Sequence, residues 1–107
     1  MKAIIWISYD LGIKGDYETL YIWLDSHGAR ECGDSVAYLS YEYEKDIVSE
    51  IKTDLRSKIK IGEKDRIYLI YKKPKTQSWI GMFIFGGRKP APWEGFSAKY
   101  EKGVVDE

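Results

Sequence analysis

A chain of 107 residues makes one domain: it can pack two layers of secondary structure around a core and leaves no room for a second unit. Seventeen basic and seventeen acidic side chains cancel, which excludes a global field drawing the protein to nucleic acid or a membrane and leaves any polyanion site to local patches or to symmetry. The single cysteine, Cys32, excludes an internal disulfide and a thiolate metal cluster, and reads as a small packed residue in a reducing cytoplasm.

Residues 4–11, IIWISYDL, are an almost wholly apolar run that stops on a carboxylate. A strand buried on both faces reads this way, so the segment belongs in the middle of a sheet and delivers Asp10 to its rim beside Gly12 and Gly15. Only five apolar residues stand between Lys2 and Ser8, too few for a secretory leader, and no run approaches the roughly eighteen needed to span a bilayer. A cytoplasmic protein without membrane contact is expected.

Asp16 can cap a helix whose apolar stripe is Tyr17, Leu20, Tyr21 and Leu24, closed by His27-Gly28. Trp23 lies off that stripe and reads either as packing against the C-terminal tail or as partner surface. His27, the only imidazole, reads as a capping cation at the helix end. Residues 29–32 form a short extended piece, Gly33-Asp34 a turn, and residues 35–43 a longer strand in which Val36, Tyr38, Ser40 and Glu42 alternate with Ala37, Leu39, Tyr41 and Tyr43. The two pieces are expected to pair as a hairpin.

Residues 45–61 carry Ile47, Val48, Ile51, Leu55 and Ile59 at helical spacing, with Asp46, Glu50 and Lys52 on the wet side and Gly62 after them. Residues 66–71 are a dense apolar strand. Strand, helix, strand, strand, helix, strand is the βαββαβ order of a ferredoxin-like α+β sandwich, an antiparallel sheet with two helices on one face. The other face would expose a large aromatic patch unless a second copy covered it, so a homodimer is expected.

After a polar connection at residues 72–77, residues 79–85 read as an additional fifth strand, which either extends its own sheet or crosses to the partner. This gives a single domain over residues 1–86 and a tail over 87–107. Trp93 and Phe96 are candidates to anchor the near half of the tail, and mobility is expected beyond Tyr100. Trp79, Phe83, Phe85 and Trp93 are the candidate dimer or partner surface.

No zinc cluster, P-loop, dinucleotide fingerprint or nucleophile elbow is present. The candidates for chemistry gather in the first loop: Asp10, Lys14 and Asp16, preceded by Ser8 and Tyr9. Carboxylates suit Mg2+, a hard ion that keeps much of its water; one aspartate per chain is a poor site, whereas two brought together across a dyad make a better one.

The ending Ser8-Tyr9-Asp10-Leu11, the helix after Lys14-Gly15-Asp16-Tyr17, the Asp34-Ser35 pair and the strand Asp65-Arg66-Ile67-Tyr68-Leu69 resemble the superfamily of small CRISPR-associated "Cas-two" nucleases and VapD-type toxins, closest to its SinR-like branch, over residues 2–72. The resemblance implies a ferredoxin-like homodimer with an extra strand after the fold. It also implies that Asp10 is the catalytic residue and magnesium ligand at the dimer dyad, in a metal-dependent endonuclease acting on RNA or DNA. Two other readings stand beside it. One is a non-catalytic module recruiting a protein partner through its aromatic strand and tail. The other is duplex binding without hydrolysis, through Lys72, Lys73, Lys75, Arg88 and Lys89 on either side of the fifth strand, with Lys14 in the first loop.

Overall fold

The computed structural model describes residues 1–101, with side chains to residue 98; the mobility expected beyond Tyr100 falls almost wholly outside the described residues. The elements are β1 (Lys2–Asp10), α1 (Tyr17–Ser26), β2 (Arg30–Glu31), β3 (Val36–Glu42), α2 (Ile47–Lys58), β4 (Arg66–Lys72), β5 (Trp79–Phe85) and α3 (Phe96–Glu101). The strands form one antiparallel sheet in the order β2-β3-β1-β4-β5. The α+β architecture is consistent with a ferredoxin-like fold. β5 pairs with β4 of its own chain and so extends the sheet at its edge. No helix among the described residues is long and apolar enough to cross a membrane.

Period-two alternation divides the sheet into two faces. Ile5 and Ile7 of β1, Ala37, Leu39 and Tyr41 of β3, and Ile67, Leu69 and Tyr71 of β4 are buried in one cluster with Leu20, Trp23 and Leu24 of α1 and Ile47, Ile51 and Leu55 of α2. Both long helices therefore cover the same face. Each fully buried aliphatic side chain, such as Ile7 or Leu55, contributes about 1.5–3 kcal/mol of transfer free energy.

Local sequence explains the helix ends. The Asp16 carboxylate caps α1 by accepting from the Thr19 N–H (3.3 Å), and its other oxygen accepts from the Lys60 N–H across the fold (3.3 Å). These bonds hold its carboxyl below the usual carboxylate range. At the far end His27 Nδ1 lies 2.8 Å from the Trp23 carbonyl; a carbonyl only accepts, so Nδ1 carries the hydrogen. The second helix is shorter than residues 45–61 suggest, because Ile59 is already extended although buried. Glu50 does not simply face water. Its carboxylate accepts from the backbone N–H groups of Glu44, Lys45 and Asp46 and so holds the chain that leads into α2, while the Asp46 side chain makes no capping hydrogen bond.

Trp23 is not partner surface, and among the described residues its ring packs on His27 and Tyr41. It is buried, and its Nε1–H donates to Asp54 on α2 (3.1 Å), which also accepts from the Tyr41 hydroxyl (3.1 Å) and pairs with Lys58 (3.0 Å). A tryptophan at the margin of the apolar stripe can bury its ring because a carboxylate on the neighbouring helix takes its hydrogen. Tyr21, assigned to the stripe by spacing, is about half exposed instead. Cys32 is exposed in the β2–β3 turn rather than packed.

The fifth strand departs from simple alternation. A β-bulge at Ile67/Tyr68 leaves Ile84 as an extra residue, so Phe83 stands opposite Tyr68 while Phe85 stands opposite Ile67. Phe85 is therefore turned to the helix face, buried and covered by the Arg56 guanidinium at 5.4 Å. It does not belong to the open surface with Trp79 and Phe83. Beyond it Trp93 and Phe96 are 72% and 58% exposed.

Candidate functional site

The face of the sheet opposite the helices carries its side chains in cross-strand rows. In the middle row Tyr38, Trp6, Ile70 and Gly81 stand side by side across β3, β1, β4 and β5. Towards the C-terminal end of β1, Ser8, Tyr68 and Phe83 form the next row, and Asp10 and Arg66 lie beyond it. Towards the other end, Lys72 pairs with Trp79, and Ile4 with Ser40. Trp6 meets Trp79 edge to face at 5.4 Å and Tyr38 at 6.2 Å, while Tyr68 meets Phe83 at 4.9 Å. Gly81 makes this possible: a Cβ there would lie 2.6 Å from the Tyr68 hydroxyl, so the absent side chain is the space into which Tyr68 leans.

At the Asp10 end, Ser8, Asp10, Arg66, Tyr68, Phe83 and Arg88 line a shallow concavity of about 280 Å³. Asp10 and Arg66 are cross-strand partners, and the Arg66 guanidinium donates to Asp10 Oδ2 at 2.5 Å. That bond, with the charges of Arg66 and Lys89, holds the Asp10 carboxyl below its ordinary range although its side chain is 57% exposed. The guanidinium carbons of Arg66 and Arg88 lie 6.0 and 5.7 Å from the Phe83 ring centroid. One aromatic ring thus holds two guanidiniums over the same hollow. Lys89 lines the adjoining surface with Asp10 and Arg66.

The remaining candidates are distributed around the fold. Lys72 and Lys73 border a second concavity with Trp6 and Trp79 at the opposite end of the open face, and the Lys72 ammonium lies 5.8 Å from the Trp79 ring. Lys75 is exposed in the β4–β5 connection. Lys14 lines a separate concavity with Lys60 and Lys64, and Lys64 also borders the surface of Asp10, Arg66 and Lys89. Asp10 and Asp16 do not come together, since Asp16 serves the α1 cap, and Tyr9 points to the other face, where it packs with Tyr17 and Tyr21.

Two residues escaped the sequence reading. Arg66 looks like the polar start of an apolar strand, and only the register sets it against Asp10. Asp65 looks like a turn residue, yet it is 4% exposed, and its carboxylate accepts from the N–H groups of Gly12 and Gly62, both at 2.7 Å. It ties the loop after Asp10 to the loop before β4.

Magnesium is the ion that the resemblance implies, and the donors of one chain do not fit it. Asp10 already gives one oxygen to a guanidinium and is surrounded by three cations, and no group of three His, Cys, Asp or Glu side chains suited to a metal occurs among the described residues. The arrangement does suit an anion that could share Arg66 with Asp10 and take Arg88 and Lys89 as well. Comparison of the chain with family models, curated proteins and solved structures gives no match.

Proposed function

We propose that the protein binds nucleic acid through the open face of its sheet, with Arg66, Arg88 and Lys89 taking backbone phosphate. The observation that carries this reading is the pair of guanidiniums held over the Phe83 ring, in a hollow that also presents Ser8 and Tyr68 as hydrogen-bonding hydroxyls. Arg66 is pre-positioned by Asp10 and has further N–H donors to offer; Arg88 forms no salt bridge among the described residues. Zero net charge does not oppose this, because phosphate binding depends on the local cations that replace condensed counterions.

Binding of a labelled oligonucleotide, measured by fluorescence anisotropy across a salt series, tests the proposal. Substituting Arg88→Ala should lower affinity several-fold and reduce the salt slope by about 0.7–0.9. Asp10→Asn should tighten binding, because it removes the carboxylate that competes with phosphate for Arg66. An Arg66→Ala/Arg88→Ala double variant that binds like the parent refutes the reading.

The exposed apolar side chains Ile4, Ile70 and Trp79 on the same face favour a second reading. In it a second copy covers the sheet, the paired Asp10 carboxylates hold magnesium, and the homodimer hydrolyses phosphodiester bonds. The two readings move the Asp10→Asn variant in opposite directions: tighter binding under the first, loss of magnesium-dependent cleavage under the second. A parent protein that sediments as a monomer at micromolar concentration and cleaves neither RNA nor DNA with magnesium removes the second.

A further inference from the structure

We infer that the open face is a stacking platform for the bases of a single strand, with Trp6 and Trp79 as its principal surfaces and cations gripping the backbone at both ends. The inference rests on the nucleic-acid reading and specifies its substrate class. Trp6 lies on the central strand between Tyr38 and Ile70, and Trp79, 57% exposed, closes on it edge to face from β5. Aromatic rings presented together on one face of an antiparallel sheet, here from β1 and, across β4, from β5, suit unpaired bases. Each such ring accepts a base of any identity, because every base has a π-face.

Charge placement favours a polyanion over another apolar surface. Lys2, Lys72 and Lys73 border the concavity at the Trp79 end, where Glu42 stands opposite Lys2, and Arg66, Arg88 and Lys89 surround Asp10 at the other. Cations outnumber carboxylates at both ends. An identical face laid on this one about a two-fold axis would set cations near cations whichever way it ran, a cost that a phosphate chain converts into attraction. From Lys72 to Arg66 the strand runs about 20 Å, room for two or three stacked bases between the gripping ends. A duplex keeps its bases paired and stacked inside and would leave the tryptophans idle.

The test compares fluorescein-labelled oligouridylate and oligothymidylate with a mixed-sequence duplex of equal length, at low and moderate salt, using the full chain. Single strands should bind more tightly than duplex and quench tryptophan fluorescence. Substituting Trp79→Leu or Trp6→Leu should each weaken single-strand binding about ten-fold, leave duplex binding unchanged and diminish the quench, whereas Trp79→Phe should retain most of the affinity. Trp79 is the decisive position, because its exposure on an edge strand lets the variant fold even where Trp6→Leu does not. Single-strand and duplex binding that are equal and indifferent to Trp79→Leu would overturn the stacking inference and leave phosphate binding standing. Failure of the parent to bind any oligonucleotide at low salt would overturn both. A dimer whose tryptophan emission is already shielded and unresponsive to oligonucleotide would overturn the inference in favour of a second copy on this face.

Discussion

Removal of the Asp65 carboxylate is the sharpest test of how the candidate site is held. Asp65 is 4% exposed and accepts two backbone hydrogen bonds at 2.7 Å, from Gly12 and Gly62. Bonds to a charged acceptor contribute about 1.5–3 kcal/mol each, and the burial cost of the carboxylate, recovered on its removal, offsets part of the loss. Asp65→Ala should therefore cost about 2–4 kcal/mol. With a urea m-value of about 1–2 kcal/mol/M for a chain of this size, the midpoint falls by roughly 2 M with m unchanged. Asp65→Asn keeps one acceptor and turns an amide N–H towards the second donor, so it should fall between the two. Urea unfolding followed by far-UV circular dichroism reads both. An Asp65→Ala midpoint within about 0.3 M of the parent would show that water replaces the carboxylate at little cost, and that Asp65 does not tie the loop after β1.

Asp54→Ala should destabilise by about 1–3 kcal/mol, because it deprives the Trp23 N–H and Tyr41 O–H of their acceptor; thermal unfolding with the midpoint unmoved would refute that network. Gly86 has φ +71°, and a Cβ there would meet the Asp65 carbonyl oxygen at 2.6 Å. Gly86→Ala should therefore cost more than about 1 kcal/mol, read in the same unfolding assay. In acid, Asp10, Asp16, Glu50 and Asp54 all have folded-state carboxyls held below their usual range. Their contribution is complete above about pH 4–5 and is lost as pH falls through the lower folded-state values. Glu50, whose value is lowered by the three backbone N–H groups that donate to it, is the simplest probe: Glu50→Gln should flatten the acid limb of the stability curve, and an unchanged limb would count against its hold on the chain that leads into α2.

Much of the architecture was legible in one dimension because its causes are local. The apolar run of β1, the alternation of β3, the Asp16 cap and the helical spacing of Ile47, Ile51 and Leu55 each depend on near neighbours, and each element formed where those signals stand. The faults came where a distant contact intervened. Trp23 is buried because Asp54, thirty-one residues away, accepts its hydrogen. Phe85 changed faces because one extra residue at a bulge reverses everything after it. Trp6, hidden in a strand apolar on both sides, could not be assigned to the open face from its own surroundings.

The candidate site divides the same way. Sequence alone placed a carboxylate at the rim of a central strand and basic residues on either side of a fifth, since strand ends and breakers are written locally. That Asp10 faces Arg66, that Phe83 holds two guanidiniums, and that tryptophans from β1 and β5 share a surface between cations depended on register and on β5 joining its own sheet. Those are relations between strands far apart in the chain, and only tertiary packing chooses among the registers that a periodic sequence permits.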